Sequence, residues 1–223
     1  MSSRRASRPR GPGGLILVVS GPAGAGKTTL CERLVEANRG RMVLSVSWTT
    51  RRPRRGEVHG QHYFFVSKAR FRKDLEAGKF AEHAQVAGEI YGTPRAFLER
   101  SLRAHRDVVL DIDVQGCAKV RRSPRFQGRV VTVFVLPLNH RVLEGRLRNR
   151  KTDDEQRIRR RLDLAEHEIK RAGEYDYLVI NDRLAAAVAD LAAICRAEQA
   201  SLRRRGSRAW AVLKKEWRLP AGR

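Results

Sequence analysis

The chain contains 223 residues, enough for one sizeable domain, and its 41% of hydrophobic residues excludes wholesale disorder. Lysine and arginine outnumber aspartate and glutamate by 47 to 24, and the net charge of +23 favours an anionic partner without deciding its class. No apolar run approaches the roughly 20 residues of a membrane span, and the aromatic residues do not alternate with basic ones as in base-stacking proteins, so we expect neither membrane contact nor specific nucleic-acid binding.

Residues 1–14 are rich in Ser, Arg, Pro and Gly and contain no apolar segment, which predicts a basic disordered tail rather than a secretion signal. The three cysteines, Cys31, Cys117 and Cys195, lie far apart and form no C-x-x-C pair. This usage is typical of a reducing compartment, and we expect a cytoplasmic location.

An apolar strand over Leu15–Ser20 leads into the pattern G-x-x-x-x-G-K-T and then into a predicted helix over Lys27–Asn38. Strand, glycine-rich loop and helix together predict a P-loop, whose backbone N–H groups and helix N-terminus bind the phosphates of a nucleoside triphosphate. Lys27 is predicted to reach the β- and γ-phosphates, and the Thr28 hydroxyl to ligate Mg²⁺. The predicted ATP-binding residues of this loop are Gly21, Pro22, Ala23, Gly24, Ala25, Gly26, Lys27, Thr28 and Thr29.

A second strand is predicted over Met42–Ser47, and the block from about Thr49 to Tyr91 then interrupts the regular alternation of strands and helices. Within that block, Arg51 and Arg54 flank the rigid Pro53, and two guanidinium forks with the Tyr63 hydroxyl would suit a phosphate monoester. A solvated basic loop explains the same residues equally well, so these residues alone leave the choice open. The elements predicted inside the block are a strand over Tyr63–Val66, a helix over Lys68–Ala77 and a strand over Phe80–Val86.

Thr93 is predicted to be the N-cap of a helix that starts at Pro94 and ends near His105. Nearly all-apolar strands are predicted over Asp107–Asp111 and Val130–Leu136, as in a parallel sheet that is covered on both faces. Asp111 and Asp113 would end a strand beside the P-loop strand, where carboxylates hold Mg²⁺ through water. The alternative is a pair of aspartates that only initiate a turn.

The C-terminal third is predicted to contain three helices and a strand. The capping box Thr152–Glu155 is predicted to open the second of the helices. The predicted elements are a helix over Asn139–Arg150, a helix from the capping box to about Ala172, a strand over Tyr177–Ile180 and a helix over Arg183–Leu202. The fold class is therefore α/β, a P-loop core with a parallel sheet flanked by helices, together with an insertion and a helical lid that exclude water from a phosphoryl transfer.

Five motifs occur in order along the chain: G-x-x-G-x-G-K-T from Gly21, S-V-S-x-T-T-R-x-P-R from Ser45, G-E-V-x-G-x-x-Y-x-F from Gly56, Y-G-T from Tyr91 and L-D-I-D-x-Q-G from Leu110. Together they resemble the guanylate kinase family, from about Leu15 to Gln199. The resemblance implies ATP-dependent phosphorylation of GMP to GDP. It also implies a domain over residues 15–202, with a GMP-binding insertion at about 49–91, a lid at about 146–161 and a basic extension over 203–223.

The resemblance implies a role for each matching position. Glu82 would read guanine, because its carboxylate accepts from the adjacent N1–H and amino donors, whereas adenine presents an acceptor at N1. The GMP-binding positions are Ser47, Arg51, Arg54, Tyr63, Glu82, Tyr91, Thr93 and Asp113. The catalytic positions are Lys27, Arg51, Asp111, Asp113 and three lid arginines, Arg146, Arg150 and Arg161. Asn181 would lie near the adenine of ATP, and Thr28 would hold Mg²⁺ with Asp111 acting through water.

Two departures from the family pattern affect the loop and the lid: Ala23 stands where serine is usual, and Lys151 stands where glycine follows the lid arginines. Three rival functions remain: a kinase of the same fold acting on a sugar phosphate such as ribose bisphosphate, a non-catalytic scaffold domain, and a nucleic-acid-binding protein. The retained Lys27, Arg51 and Arg54 argue against the scaffold, and Glu82 against the sugar phosphate. The sequence does not decide whether the chain forms a homo-oligomer.

Overall fold

The computed structural model describes residues 14–54, 56–86, 88–149 and 154–201, together with Trp217. The predicted basic tail, apart from Gly14, and the C-terminal extension, apart from Trp217, lie outside the described residues. The strands are β1 (Ile16–Ser20), β2 (Met42–Leu44), β3 (Trp48–Thr49), β4 (Phe64–Phe65), β5 (Phe80–Val86), β6 (Glu89–Pro94), β7 (Asp107–Asp111), β8 (Val130–Leu136) and β9 (Tyr177–Ile180). The helices are α1 (Lys27–Ala37), α2 (Lys68–Glu76), α3 (Arg95–Arg103), α4 (Val114–Arg122), α5 (His140–Arg148), α6 (Glu155–Ile169) and α7 (Leu184–Ala200).

The central sheet has five parallel strands in the order β2-β7-β1-β8-β9, which confirms the predicted α/β class. Strand β1 is buried along its whole length because helices cover both faces of the sheet. Leu17 and Val19 face a core that includes residues of α1 and α7, whereas Ile16 and Val18 face a core that includes residues of α3 and α4. The P-loop therefore follows the middle strand of a rigid sheet.

A second, smaller sheet has the strand order β4-β3-β6-β5 and lies within the predicted insertion. Its pairs β3–β6 and β5–β6 are antiparallel, and β3–β4 is parallel. Helix α2 packs on it through the fully buried Phe71, whose ring stacks on Phe80 with centroids 4.5 Å apart. This packing holds β5 and β6 in place, and those strands carry three of the predicted site residues.

Helices α5 and α6 pack together through Leu143, Leu147, Ile158 and Ala165. The Ala23 side chain of the P-loop packs against the same cluster. Ala23, which stands where the family usually has serine, thus contributes an apolar contact between the P-loop and the predicted lid. Arg150 and Lys151 lie outside the described residues. The neighbouring arginines Arg148, Arg157, Arg159 and Arg160 are exposed.

Three local predictions were wrong. Thr93 is not an N-cap, because it lies in β6 opposite Glu82 and the cap of α3 is Pro94. Helix α6 is capped by Asp154, which accepts from the Arg157 N–H, so the capping box placed its start two residues early. Helix α4 was not predicted, because a glycine interrupts its apolar spacing.

Among the described residues, no helix is long and apolar enough to cross a membrane.

Gly21, where β1 turns into the P-loop, has a φ of +138°, and a Cβ there would lie 2.2 Å from the Val135 carbonyl oxygen on β8. We expect Gly21→Ala to lower the free energy of unfolding by about 4 kcal/mol, because backbone strain and a clash with a central strand add together. Gly40→Ala is the control, since Gly40 has a φ of +85° with no atom of the described residues within 4 Å of its Cβ position, and should cost about 1 kcal/mol. Urea unfolding measures both, and equal losses would contradict the role of the β8 carbonyl.

Candidate functional site

The P-loop and the end of β7 place hard oxygen ligands beside a lysine. The Lys27 ammonium donates to the carbonyl oxygens of Gly21, at 2.6 Å, and Pro22, at 3.1 Å, and so lies across the loop. Thr28 Oγ1 donates to Asp111 Oδ2 at 2.6 Å, which joins the first turn of α1 to the strand beside β1. The structure thus brings together the predicted phosphate-binding lysine and both predicted ligands of the metal.

A second group of predicted residues lies on the other side of the loop. Asn181 is buried, and its Nδ2 donates to the Ala25 carbonyl oxygen at 2.8 Å. Arg146 of α5 donates to the Asn181 carbonyl oxygen at 2.9 Å and to that of Ala25 at 3.4 Å. Together with Gly24, Gly26 and Thr29, these side chains line a cavity that opens on the loop from the side of α5 and α7. This position suits the adenosine part of a triphosphate, as predicted for Asn181.

Arg51 is held by a partner that the sequence reasoning did not assign. Its two terminal nitrogens bind the Glu57 carboxylate at 2.7 and 2.8 Å, and both side chains are largely buried. The hydrogen bonds to Arg51 lower the pKa of Glu57, and Glu57 in turn raises the pKa of Arg51. Glu57 also accepts from the backbone N–H of Arg54 at 2.6 Å, so one carboxylate fixes the loop that carries both arginines.

Two tyrosines complete the arginine cluster. The Arg51 guanidinium lies 5.2 Å from the centroid of the Tyr63 ring, and the rings of Tyr63 and Tyr91 meet edge to face at 5.9 Å. Burial raises the pKa of Tyr63, so its hydroxyl remains protonated and can donate a hydrogen bond. Arg54 is exposed and lines the same cavity as Arg51 and Tyr63. The cluster offers several donors to one anion.

Glu82 lies in β5 with 6% of its surface exposed, and Thr93 Oγ1 of β6 donates to its Oε1 at 2.6 Å. Its other oxygen, Oε2, approaches the backbone of α4 so closely that a Cβ on Gly116 would lie 2.7 Å away. Burial raises the pKa of Glu82 to about 7, the charge of Asp113 raises it further, and the Thr93 hydrogen bond opposes the shift. Asp113 caps α4 by accepting from the Gly116 N–H at 2.8 Å. This local role agrees with the alternative interpretation, in which the aspartate initiates a turn.

Two adjoining cavities contain most of the predicted site. The first, of about 220 Å³, runs from the P-loop to Glu82, and the second, of about 370 Å³, joins Thr28 and Asp111 to the arginine cluster. The residues Ser47, Tyr63 and Asp111 line both. The loop predicted to hold a triphosphate, the arginines and the buried carboxylate therefore line two neighbouring cavities with three residues in common.

Comparison with known proteins identifies the family. A family model described as guanylate kinase matches residues 14–198, most of the chain. The chain belongs to the guanylate kinase family. Like its relatives, it is a nucleotide-binding enzyme of the kinase class.

The match to individual guanylate kinases extends over nearly the whole chain. The guanylate kinase of Anaeromyxobacter dehalogenans is 48% identical over 200 residues, covering 89% of this chain and 87% of that protein. The guanylate kinase of Rickettsia typhi is 41% identical over 187 residues, covering 84% and 93%. The crystal structure of guanylate kinase from Anaplasma phagocytophilum superposes with a TM-score of 0.73 at 33% identity, covering 87% of this chain and 90% of that one.

The structure distributes the predicted guanylate kinase site residues unevenly. Arg161 lines the first cavity, whereas Arg146 lies on the far side of the P-loop, so these two lid arginines are not brought together. Arg150, the third, lies outside the described residues. Two residues were missed, Glu57 and Glu168. Glu57 lies in a motif that we quoted without assigning it a role, and Glu168 follows Arg161 by seven positions, a spacing that places both on one face of a helix.

We expect Glu57→Gln to raise KM for GMP about tenfold, because the Arg51 guanidinium loses its bidentate partner and its fixed orientation. KM for ATP should stay within about twofold, since the hydrogen bonds of Glu57 are to Arg51 and Arg54. Steady-state kinetics with each substrate varied in turn measures the two KM values separately. Glu36→Gln is the control, because it breaks an exposed ion pair of α1 with Arg33. A parallel rise in both KM values would contradict the assignment.

Proposed function

We propose that this chain transfers the γ-phosphoryl group of ATP to the phosphate of GMP, yielding ADP and GDP, across the two adjoining cavities. One observation carries the proposal: the cavity that begins at Lys27 also contains Tyr63 and Tyr91 of the arginine cluster and ends at the buried Glu82. Donor loop, acceptor-phosphate site and base reader thus line the same cavity.

The acceptor side suits a purine with adjacent donors. Glu82 is the base reader: it lines the cavity, and Thr93 Oγ1 donates to only one of its two oxygens. A carboxylate in this setting accepts from N1–H and the amino group of guanine, and it repels the N1 lone pair of adenine. A wrong base leaves a buried charge unpaired, which makes the discrimination strong.

The arginine cluster suits the acceptor phosphate. The Nε of Arg51 is buried and has no hydrogen-bond partner within the described parts of the chain, although both terminal nitrogens are bound to Glu57. A phosphate oxygen would supply the acceptor that this N–H needs. Arg54 and the hydroxyls of Tyr63 and Tyr91 are the remaining donors, and Ser47 lines the same space.

Catalysis on this scheme is positioning and electrostatic stabilisation. The acceptor phosphate oxygen is already anionic, so its attack requires no general base. Lys27 binds the transferring group, and Arg161, with Arg146 and Arg150 as further lid arginines, neutralises the charge that develops on it. Asp111 and Asp113 orient the substrates from the end of β7.

The Thr28–Asp111 pair fits a magnesium ion. A hydroxyl and a carboxylate are hard oxygen ligands, and their 2.6 Å hydrogen bond shows that both reach the same point at the N-terminus of α1. Thr28 would hold Mg²⁺ directly, with Asp111 acting through water. The ion would neutralise charge on the triphosphate when bound.

The block at about 49–91 serves as the GMP-binding insertion, and the segment at about 146–161 serves as the lid. Three free, buried cysteine thiols support a reducing, cytoplasmic location. The basic ends add only weak, salt-sensitive contact with nucleic acid, and a complex that persists at high salt would contradict this view.

A coupled assay of ADP release, with GMP, AMP, UMP, CMP and ribose 1,5-bisphosphate as acceptors, tests the proposed function. We expect GMP to exceed the other nucleotides by at least about 10³-fold in kcat/KM. Turnover of the sugar bisphosphate in preference to GMP would favour the rival kinase. The absence of ADP release with every acceptor would favour a binding module.

A further inference from the structure

The catalytic scheme above assigns no role to Glu168 of the lid helix α6. Its side chain lines the first cavity together with Lys27, Glu82 and Asp113, and only 9% of the residue's surface is exposed. Within the parts of the chain that the structure describes, its carboxylate has no hydrogen-bonded or ion-paired partner within 4 Å. Burying a carboxylate without a partner costs free energy, so the position calls for a donor that enters the cavity.

The position on α6 does not require a charged residue for packing. The other buried positions of the same helix are Ile158 and Ala165, which pack against α5 and the P-loop. An apolar side chain at position 168 would keep the burial without the cost of a charge. The Glu168 carboxylate is therefore better explained by a group that enters the cavity than by the side chains against which α6 packs.

The helix aligns Glu168 with two other residues of the cavity. Arg161, Leu164 and Glu168 all line it, and their spacing of three and four residues places them on one face of α6. Seven residues of helix advance roughly 10 Å, about the length of a nucleoside monophosphate from its phosphate to its base. Arg161 can therefore act near the transferred phosphoryl group while Glu168 lies beside the nucleoside.

The charges around Glu168 agree with this placement. Burial raises its pKa to about 7, Lys27 opposes the shift, and Asp113 adds to it. Asp113 also raises the pKa of Glu82, so this aspartate lies near both carboxylates. These three carboxylates of the cavity offer acceptors, which are complementary to the hydroxyl and amino groups of a guanine nucleoside.

We propose that Glu168 accepts a hydrogen bond from a donor on the nucleoside of GMP, either a ribose hydroxyl or the guanine amino group, and thereby makes the lid helix a second reader of the acceptor. The inference rests on the function proposed above. It adds a specificity-determining contact that comes from the lid rather than from the insertion.

The test measures Glu168→Ala and Glu168→Gln with GMP and with three analogues that each lack one donor: IMP, 2′-deoxy-GMP and 3′-deoxy-GMP. We expect Glu168→Ala to raise KM for GMP about tenfold, with kcat and KM for ATP within about twofold. The penalty should nearly vanish for the one analogue that lacks the contacted donor, which identifies the group. Glu168→Gln keeps the shape and one acceptor oxygen, and it should show a smaller rise.

Glu166→Ala is the matched control, because Glu166 is exposed on the same helix and its loss removes the same charge. An equal penalty for GMP and all three analogues, no penalty at all, or a loss confined to kcat or to KM for ATP would overturn the proposal. Calorimetric titration of GMP into the wild type and Glu168→Gln detects the contact without turnover. A wild type that binds GMP but does not phosphorylate it would contradict the proposed function alone.

Discussion

Lys27→Met is expected to lower kcat about a thousandfold, the largest loss among the substitutions considered. The Lys27 ammonium is the one cation that the P-loop itself contributes, and its hydrogen bonds to Gly21 and Pro22 hold it across the loop. On the proposed scheme it would neutralise charge on the transferring phosphoryl group in the transition state, and removing such a group typically costs about two to five orders of magnitude. Single-turnover measurement of ADP formation at saturating GMP isolates the chemical step.

Lys73→Met provides the control for this substitution, because Lys73 is an exposed lysine of α2 and the change in charge is identical. Thermal unfolding of both variants separates lost chemistry from lost structure. Lys27→Arg should recover only part of the rate, since the larger guanidinium does not fit the same two carbonyls. A Lys27→Met enzyme within tenfold of the wild-type kcat would contradict the assignment.

Glu82→Gln is expected to raise KM for GMP about a hundredfold and to leave KM for ATP within about twofold. The amide presents only one acceptor to the two adjacent donors of guanine, and hydrogen bonds to a charged partner are the strong ones. Discrimination between GMP and AMP should fall by a similar factor. Glu76→Gln, an exposed substitution on the same insertion, is the control. Equal changes in both KM values would indicate that Glu82 has only a structural role.

The pH dependence provides an independent test of Glu82. Guanine requires the carboxylate form, and burial raises the pKa of Glu82 to about 7 in the free protein. KM for GMP should therefore be level above pH about 7 and should rise as pH falls through this value, by up to tenfold per unit. Asp113 and Lys119 are the charged groups that also act on Glu82, with opposite signs.

The acceptor phosphate also titrates, with a second pKa near 6. In Glu82→Gln the rise near pH 7 should disappear and the phosphate transition near 6 should remain. An unchanged profile in this variant would show that another group governs GMP binding.

The stability of the folded protein without GMP depends on pH with the opposite sign. The raised pKa of Glu82 means that the folded protein gains stability from the protonated carboxyl below the ordinary value near 4.3, and loses it as pH rises through about 7. GMP binding should thus stabilise the protein most above pH 7, where the buried charge otherwise lacks its donors.

The donor half of the site could be predicted from local sequence. A P-loop is one contiguous segment, so the strand β1, the glycine-rich turn and the start of α1 followed from the order of residues. The buried strands β7 and β8 were predictable for the same reason, because all-apolar runs of that length favour a covered parallel sheet. Helix α4 was missed, since its short apolar spacing includes Gly116, and the small strands β3 and β6 are set by pairing across the insertion.

The acceptor half required long-range contacts. The motifs marked Arg51, Tyr63 and Glu82, but a solvated loop explained the arginines equally well until the structure placed Glu57 against Arg51. The Thr93 side chain was predicted to cap a helix, because a threonine before a proline usually does. It instead pairs with Glu82 across β5 and β6 and donates to the carboxylate that we propose as the base reader.

The sequence by itself determined the class of the fold, the triphosphate loop and the family, because these depend on contiguous residues and on motifs at fixed spacing. Only the tertiary structure decided which charges line each of the two cavities. Glu57, Glu82, Asp113 and Glu168 come from four separate segments, and their burial and mutual distances depend on the packing of α6, the insertion and the sheet end. Those distances set the pKa values of these carboxylates and leave some of their oxygens without a hydrogen-bond donor among the described residues. From these two properties we inferred the specificity for guanine and the role of the lid helix.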